Sequence, residues 1–353
     1  VGMIATAALL TMALAGNVQA AEIRSVGPDG EAAVDASTIE LTDDQIAQIK
    51  EGGYTAAICL HYGGNDWSTS QQKGLEDTFG ELGIEIVAVT DANFSAETQV
   101  SNIETVMAKK PDILVSIPTD ATATADAYKQ AAAAGIKIVF MDQRADGLEA
   151  GKDYVSVVSA DNYGNGYASG TVLGDALGGK GKVAMVYYDA NFAPTNQRDE
   201  GFRDAMKNYP DIEIVTEQGF TDESGCAEQG DAILTQFPNI DGIYASWDVP
   251  MEGVLSAVRA AGMEGKVTLA CNDLGNNVAR EIASGNIAGG GAQMPYDQGV
   301  AEAKLAALAL LGEETPSYVA VPAETVTHEN VLEAYTDVYH VETPDWLKEA
   351  YVE

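Results

Sequence analysis

Side chains suited to holding hydroxyl groups recur at five places along the chain, each directly after a short apolar run. The segments are GGNDWSTSQ (63–71), DQRADG (142–147), SWDVP (246–250), CNDLGNN (271–277) and AQMPYDQG (292–299). Each contains Asp, Asn or Gln, and two also contain tryptophan. Carboxylates and amides bond to neighbouring hydroxyls, while an indole face covers an apolar C–H surface. The pattern indicates a site for an uncharged polyhydroxylated ligand.

The same residue types also begin helices, because Asp and Asn are preferred N-caps. For any single segment, a helix cap is the better interpretation. Five segments of this kind in one chain favour a shared binding site.

No arrangement typical of catalysis or metal binding is present in the sequence. The histidines are His61, His328 and His340, and none has a partner at a metal-ligand spacing. The sequence also lacks a G-x-S-x-G nucleophile elbow. We therefore predict no catalytic residue, no metal and no cofactor.

The polar segments follow the strands of a regular strand–helix alternation. Apolar runs predict strands at 55–61, 84–90, 112–117, 136–142, 154–162, 182–188, 212–218, 242–247, 267–272 and 287–293. Helical periodicity predicts helices at 69–82, 97–109, 123–134, 197–208, 228–237, 249–261 and 278–284. Continuous apolar strands alternating with helices are typical of parallel sheets covered on both faces. We predict an α/β fold with two doubly wound parallel-sheet lobes, whose strand ends share one cleft.

Two glycine-rich segments resemble nucleotide-binding loops only superficially. GNGYASG (164–170) lies inside a helical pattern, where its small residues allow close helix packing. GDALGGKG (174–181) precedes a strand instead of following one, so Gly178 and Gly179 are better explained by a helix C-cap and turn.

Charge and the N-terminal sequence restrict the partners and the compartment. A net charge of −35 over 353 residues argues against nucleic acid and against anionic membrane surfaces. Residues 1–20 carry an apolar stretch that ends in Val-Gln-Ala, which predicts a signal peptide and is too short to span a membrane. The basic segment that starts a signal peptide is missing, so we expect the natural chain to begin upstream. The leader predicts export to the periplasm.

The chain has three cysteines, Cys59, Cys226 and Cys271. Cys59 and Cys271 lie in apolar strand patterns, which predicts that they are buried. A bridge between Cys226 and Cys271 is compatible with the sequence, which leaves the pairing open.

A series of motifs over most of residues 54–327 resembles the type I periplasmic sugar-binding proteins of ABC importers, the ribose/galactose-binding class. The motifs are Asn65-x-Trp67, PTDATA (118–123), Asp142, SADNYGNG (159–166), NQRDEGF (196–202), Trp247-Asp248, Asn272-Asp273 and Gln293 before Pro295. The resemblance implies two lobes joined by three hinge strands, which close on a sugar and then dock on a membrane permease.

The resemblance also implies a set of ligand contacts. Carried over by position, they are Asn65, Trp67, Asp142, Gln143, Asn196, Trp247, Asp273 and Gln293. Trp67 and Trp247 are expected to enclose the ligand between their rings. The family has arginine at the positions of Gln143 and Asn196, so we expect a sugar other than ribose or a sugar alcohol. Arg144 is a candidate for the missing guanidinium, and a structural role is expected for Arg198.

We divide the chain into a signal peptide (1–20), an N-terminal extension (21–53), an N-terminal lobe (54–159 and 294–320), a C-terminal lobe (160–293 and 321–340) and a tail (341–353). We expect a monomeric periplasmic receptor that delivers a sugar or polyol to the permease of an ABC transporter. A receptor for a furanose-like signalling compound and a sugar-modifying enzyme with the same cleft stay open as alternatives. A transcription regulator would need a basic helix-turn-helix, whereas residues 21–53 are acidic.

Overall fold

The computed structural model of the protein describes residues 22–352, so the predicted signal peptide lies outside the described residues. The strands are β1 (Val34–Asp35), β2 (Thr55–Leu60), β3 (Glu85–Asp91), β4 (Ile113–Ser116), β5 (Lys137–Met141), β6 (Ser156–Ala160), β7 (Lys180–Tyr188), β8 (Asp211–Phe220), β9 (Gly242–Ala245), β10 (Thr268–Cys271), β11 (Gly289–Ala292), β12 (Tyr318–Val321) and β13 (Glu324–Thr327).

The helices alternate with these strands over most of the chain. They are α1 (Asp43–Gly52), α2 (Asp66–Glu81), α3 (Ala96–Ala108), α4 (Ala125–Ala133), α5 (Asn162–Ala176), α6 (Ala193–Met206), α7 (Cys226–Gln236), α8 (Asp248–Ala260), α9 (Asn276–Ala283), α10 (Pro295–Leu310), α11 (Val331–Tyr339) and α12 (Asp345–Ala350). None of the helices within residues 22–352 is long and apolar enough to cross a membrane.

The strands form two sheets, one in each lobe. The first has the order β1-β12-β6-β5-β4-β2-β3, and its pairings are parallel. The second has the order β13-β11-β10-β9-β7-β8, and is parallel apart from the antiparallel pair β11 and β13. Most central strands are fully buried because helices cover both faces. The predicted α/β fold with two doubly wound lobes is confirmed.

The chain passes between the two sheets three times. It leaves the first sheet after β6, returns between β11 and β12, and leaves again between β12 and β13. The last passage takes only residues 322–323. Sequence patterns did not predict β12 and β13, which have four residues each and lie beside these passages.

Residues 22–53 pack on the first lobe. Strand β1 pairs in parallel with β12, and Ile49 of α1 is fully buried in the core. Thr42 caps α1 in a reciprocal capping box with Gln45. At the other end of the chain, Leu347 of α12 is buried in the core of the second lobe.

Helices α5 and α6 pack unusually closely, and this contact positions part of the site. A Cβ atom on Gly166 would lie 1.8 Å from the carbonyl oxygen of Arg198. One on Gly201 would lie 2.1 Å from the carbonyl oxygen of Tyr163. The prediction that small residues let this helix pack closely is therefore confirmed, and the contact fixes the backbone of Arg198.

The cysteines are buried and unbridged. Cys59, Cys226 and Cys271 are each free, so the Cys226–Cys271 bridge that the sequence left open is not formed. Burial raises the pKa of the Cys59 thiol to about 11, so these groups act as small apolar side chains at neutral pH.

Candidate functional site

A cavity lies where the carboxyl ends of the two sheets face each other, with about 460 Å³ of space outside protein atoms, part of it open to solvent. Six of the eight predicted contacts line it, namely Asn65, Trp67, Asp142, Trp247, Asp273 and Gln293. The first three belong to the first lobe and the last three follow strands of the second sheet, so the cavity has walls from both lobes.

Asp142 follows β5 with a left-handed backbone (φ +56°). Its Oδ1 accepts hydrogen bonds from Ser159 Oγ (2.9 Å), the Ala160 amide (3.3 Å) and Gln298 Nε2 (3.2 Å). These donors fix one side of the carboxylate, while Oδ2 takes no hydrogen bond from residues 22–352. Burial raises the pKa of Asp142, and the positive charge of Arg198 partly opposes this rise. Asp142 therefore offers the cavity an oriented acceptor.

Arg198 and Asp273 form a buried ion pair in the wall of the second lobe. Arg198 Nη1 lies 3.2 Å from Asp273 Oδ2, and the two side chains are only 6% and 9% exposed. Arg198 Nε donates to Asn162 Oδ1 at 2.9 Å. Arg198 thus has the structural role expected from the sequence, and it also lines the cavity. Arg144 does not supply the guanidinium, because it pairs with Asp29 at the surface at 2.7 Å.

Gln293 joins the two lobes beside this ion pair. Its Nε2 donates to Asp273 Oδ1 at 2.7 Å, and its Oε1 accepts from the indole Nε1 of Trp67 at 3.2 Å. Because Trp67 lies on α2 of the first lobe, the Gln293 carboxamide connects the two walls of the cavity through hydrogen bonds.

Asn65 is both a helix cap and a cavity residue, the two interpretations that the sequence left open. Its Oδ1 accepts from the Ser68 amide at 2.7 Å, so it is the N-cap of α2. Its Nδ2 bonds to the hydroxyl of Tyr62. Both Asn65 and Tyr62 line the cavity, and helix capping therefore fixes a cavity residue in place.

Trp247 contributes to an aromatic wall of the cavity. Its Nε1 donates to Glu223 Oε1 at 2.8 Å. Its ring packs against Tyr188 (centroids 5.6 Å apart) and Phe220 (5.1 Å). Both indoles border the cavity, and their enclosure of a ligand stays a prediction.

His61, which ends the first predicted strand, lines the cavity without a protein hydrogen bond to its Nδ1. It is 5% exposed, and Nδ1 is buried with no partner among the described residues. Four rings surround it, those of Tyr62, Trp67, Phe94 and Phe192. Burial lowers the pKa of His61 to about 3, so the ring is neutral at physiological pH and offers an uncharged polar atom in an aromatic wall.

The other two predicted contacts, Gln143 and Asn196, do not line the cavity. Gln143 Nε2 donates to the Pro118 carbonyl at 2.8 Å, and Oε1 accepts from the Ala193 amide at 3.0 Å. It therefore ties the first lobe to the start of α6. Asn196 is exposed. It lies on the outer face of α6, because residues three apart share a helix face and the cavity face carries Thr195 and Arg198.

Several cavity residues were not identified from the sequence. They are His61, Tyr62, Phe94, Tyr188, Phe192 and Thr195. The aromatic residues follow β2, β3 and β7, and this position at strand ends is the signal that could have found them. Within residues 22–352, His, Cys, Asp and Glu form no cluster that could hold a metal ion.

Comparison with known proteins gives a consistent result. A family described as "Periplasmic binding protein domain" matches residues 56–314. The D-ribose/D-allose-binding protein of Pseudomonas aeruginosa is 29% identical over 273 residues, which is 74% of this chain and 83% of that protein. The Ribose import binding protein of Bacillus subtilis is 27% identical over 213 residues, or 60% of this chain and 67% of that protein.

Solved structures share the fold over about four fifths of this chain. A periplasmic solute-binding protein of an ABC transporter from Actinobacillus succinogenes, with bound D-allose, has a TM-score of 0.73 and 29% identity, covering 79% of this chain and 99% of that chain. A solute-binding protein from Agrobacterium vitis, bound with alpha-D-tagatopyranose, has a TM-score of 0.76 and 25% identity, covering 83% and 100%. The resemblance inferred from the motifs is confirmed: the chain belongs to the periplasmic binding protein family.

Proposed function

We propose that this protein binds a neutral sugar or sugar alcohol in the cavity between its lobes and delivers it to the permease of an ABC importer. The observation that carries the proposal is a pair of oriented carboxylates from opposite lobes in one cavity. Asp142 is held by Ser159 and Gln298, and Asp273 is held by Arg198 and Gln293. The names of the relatives, which bind ribose, allose and tagatose, support the same ligand class.

The cavity is lined by two kinds of side chain, polar and aromatic, which suits a sugar. Asp142, Asp273 and Arg198 supply acceptors and a donor for hydroxyl groups. The rings of Trp67 and Trp247, with the other aromatic residues, cover C–H surface. In this proposal Asn65 and Gln293 are further polar contacts of the ligand. Gln143 and Asn196, which were predicted from the sequence, are not contacts.

Ligand binding is proposed to stabilise closure of the lobes. A ligand shifts such an equilibrium only by contacting the closed state better than the open one. A sugar between Asp142 of the first lobe and Asp273 of the second meets this requirement. Gln143 and Gln293 also join the lobes through hydrogen bonds, and the contacts of the ligand add to these interlobe bonds.

The proposed setting is the periplasm, with the receptor acting as a monomer and returning its ligand chemically unchanged. Membership of a binding-protein family supports this setting. It also disfavours the sugar-modifying enzyme that the sequence left open.

A thermal-shift screen of the purified protein against pentoses, hexoses and pentitols tests the proposal. A ligand present at 100 times its Kd stabilises the native state by about 2.7 kcal/mol. We expect at least one neutral compound to raise Tm, and calorimetry to give one site per chain. If no neutral sugar or polyol raised Tm, the proposed function would be wrong.

A further inference from the structure

A second depression lies at the mouth of the cavity, between the lobes. We call it the outer groove, and five of its lining residues also line the cavity: Tyr62, Asn65, Phe94, Tyr188 and Trp247. The outer groove offers about 1050 Å³ outside protein atoms, part of it open to solvent. The cavity and the outer groove therefore have a common, largely aromatic wall.

Phe94 is the most unusual residue of this shared wall. Its side chain remains 37% exposed although it is large and apolar, and its backbone is left-handed (φ +59°) directly after a left-handed Asn93 (φ +47°). A bulky residue in this region is uncommon and costs free energy. Two hydrogen bonds hold the turn, from the Asn93 amide to Asp91 Oδ1 (2.7 Å) and from the Phe94 amide to the His61 carbonyl (2.8 Å).

The ring of Phe94 is held at a fixed angle at this mouth. It stacks on Tyr62 with centroids 4.1 Å apart and planes at 24°. Tyr188 of the opposite lobe lies 6.2 Å away. The strained turn thus places the Phe94 ring of the first lobe opposite Tyr188 of the second lobe. The Phe94 side chain remains partly accessible to solvent.

The rest of the outer groove is polar and acidic. Asn93 and Thr221 are exposed on opposite sides of it, and Asp222 and Glu223 follow Thr221. Glu223 accepts the indole N–H of Trp247 at 2.8 Å, which links the acidic side to the cavity wall. Hydroxyl groups match such acceptors, whereas a second anion would be repelled.

We propose that the outer groove is a second carbohydrate subsite, so that the preferred ligand is a neutral disaccharide or glycoside instead of a free monosaccharide. One ring occupies the cavity. The linked ring lies on Phe94 and bonds through its hydroxyls to Asn93, Asp222 and Glu223. This inference rests on the proposed function, since the first ring must be a sugar.

Calorimetry with three sets of probes tests the subsite: pentoses and hexoses, their methyl glycosides, and neutral disaccharides that contain the same sugars. We expect at least one linked ligand to bind about tenfold more tightly than its parent monosaccharide, a gain that corresponds to burial of roughly 55 Å² of apolar surface against Phe94. Thr221→Trp fills the outer groove without touching the cavity, and should remove that gain while leaving monosaccharide affinity unchanged. Thr221→Ala, the matched control, should keep both.

The outcomes separate this inference from the function on which it rests. Monosaccharides that bind while every linked derivative binds more weakly or not at all would overturn the subsite and leave the sugar receptor intact. A gain for linked ligands that survives Thr221→Trp would also overturn it. Asp222→Asn keeps the helical-turn cap at Ser224 and should weaken only the linked ligands. Binding of none of the probes would overturn both proposals.

Discussion

Asp66 of the first lobe holds Asn276 of the second with both of its carboxylate oxygens. Oδ2 accepts from the Asn276 amide at 2.7 Å, and Oδ1 accepts from Asn276 Nδ2 at 2.9 Å. Tyr335 donates to the Asn276 side-chain oxygen at 2.5 Å and so orients the amide. Neither Asp66 nor Asn276 lines the cavity, so this pair stabilises the closed arrangement without contacting the ligand.

Asp66→Ala is therefore expected to weaken ligand binding indirectly. Loss of the two interlobe bonds should raise Kd about three- to tenfold, because the closed state becomes less populated. Small-angle scattering should show a more open protein without ligand. Glu76→Ala on the outer face of the same helix is the control, and equal affinities for the two variants would contradict the role assigned to Asp66.

Asp142→Asn and Asn196→Ala together test which residues contact the ligand. Asp142→Asn keeps the side-chain size but removes a charged acceptor, and should raise Kd about tenfold or more, since hydrogen bonds to charged groups contribute about 1.5–3 kcal/mol. Asn196→Ala should leave Kd unchanged, because Asn196 is exposed on the outer face of α6. Calorimetry with the ligand from the thermal-shift screen measures both. A weaker ligand with Asn196→Ala would return Asn196 to the contact set, and an unchanged Kd with Asp142→Asn would remove Asp142 from it.

The sequence was informative where chemistry depends on position along a strand. Asp142 directly follows β5 and Asp273 lies two residues after β10, and each has a left-handed backbone at the strand end. Parallel strands end at the same edge of a sheet, so apolar runs followed by acids predicted both residues. The eight-residue contact set came from the resemblance, and six of its members line the cavity.

The sequence was less informative where the direction of a side chain depends on the rotation of a helix about its axis or on the conformation of a turn. Asn196 and Arg198 are two positions apart on α6, which places them on different faces, and periodicity alone did not show which face meets the cavity. The sequence around His61 is that of a buried strand end. Whether its Nδ1 has a hydrogen-bond partner depends on how the surrounding rings pack, and no local sequence pattern indicates this. The position of the Phe94 side chain depends on two consecutive residues with left-handed backbone, a conformation that is rare outside glycine.

Gly166→Ala should disturb the cavity through the packing of α5 on α6. The added methyl group would lie 1.8 Å from the carbonyl oxygen of Arg198, and overpacking of this kind costs about 1–3 kcal/mol. Urea unfolding should show the loss of stability, and calorimetry a weaker ligand. Gly80→Ala is the matched control, since a Cβ there meets nothing within 4 Å. It should stabilise α2 by about 0.5–1 kcal/mol.

His61→Phe tests the neutral histidine in the aromatic wall. Phenylalanine preserves the ring packing but removes both nitrogens, so Kd should rise about fivefold or more if the ring bonds to the ligand. The variant should also change acid stability. Because burial lowers the folded pKa of His61 to about 3, the unfolded chain binds a proton that the folded protein rejects as pH falls below about 6.5. Wild type should thus lose stability relative to His61→Phe between pH 6.5 and 4.

Asp199 should show the opposite pH dependence. It is buried, accepts from Ser246 Oγ at 2.7 Å and from the Tyr244 hydroxyl at 3.2 Å, and burial raises its pKa to about 6. The folded protein therefore holds a proton that the unfolded chain releases near its ordinary value of 3.8. This contribution is fully present below that value and is lost as pH rises through about 6.

Asp199→Asn removes the titration while keeping an acceptor for Ser246 and Tyr244. Between pH 4 and 7, the free energy of unfolding of wild type should fall relative to the variant by up to about 3 kcal/mol. Urea unfolding at half-unit pH steps measures the difference, and Asp175→Asn at an exposed position is the control. A difference between wild type and Asp199→Asn that is constant over this range would show that Asp199 ionises in the folded protein as readily as it does in water.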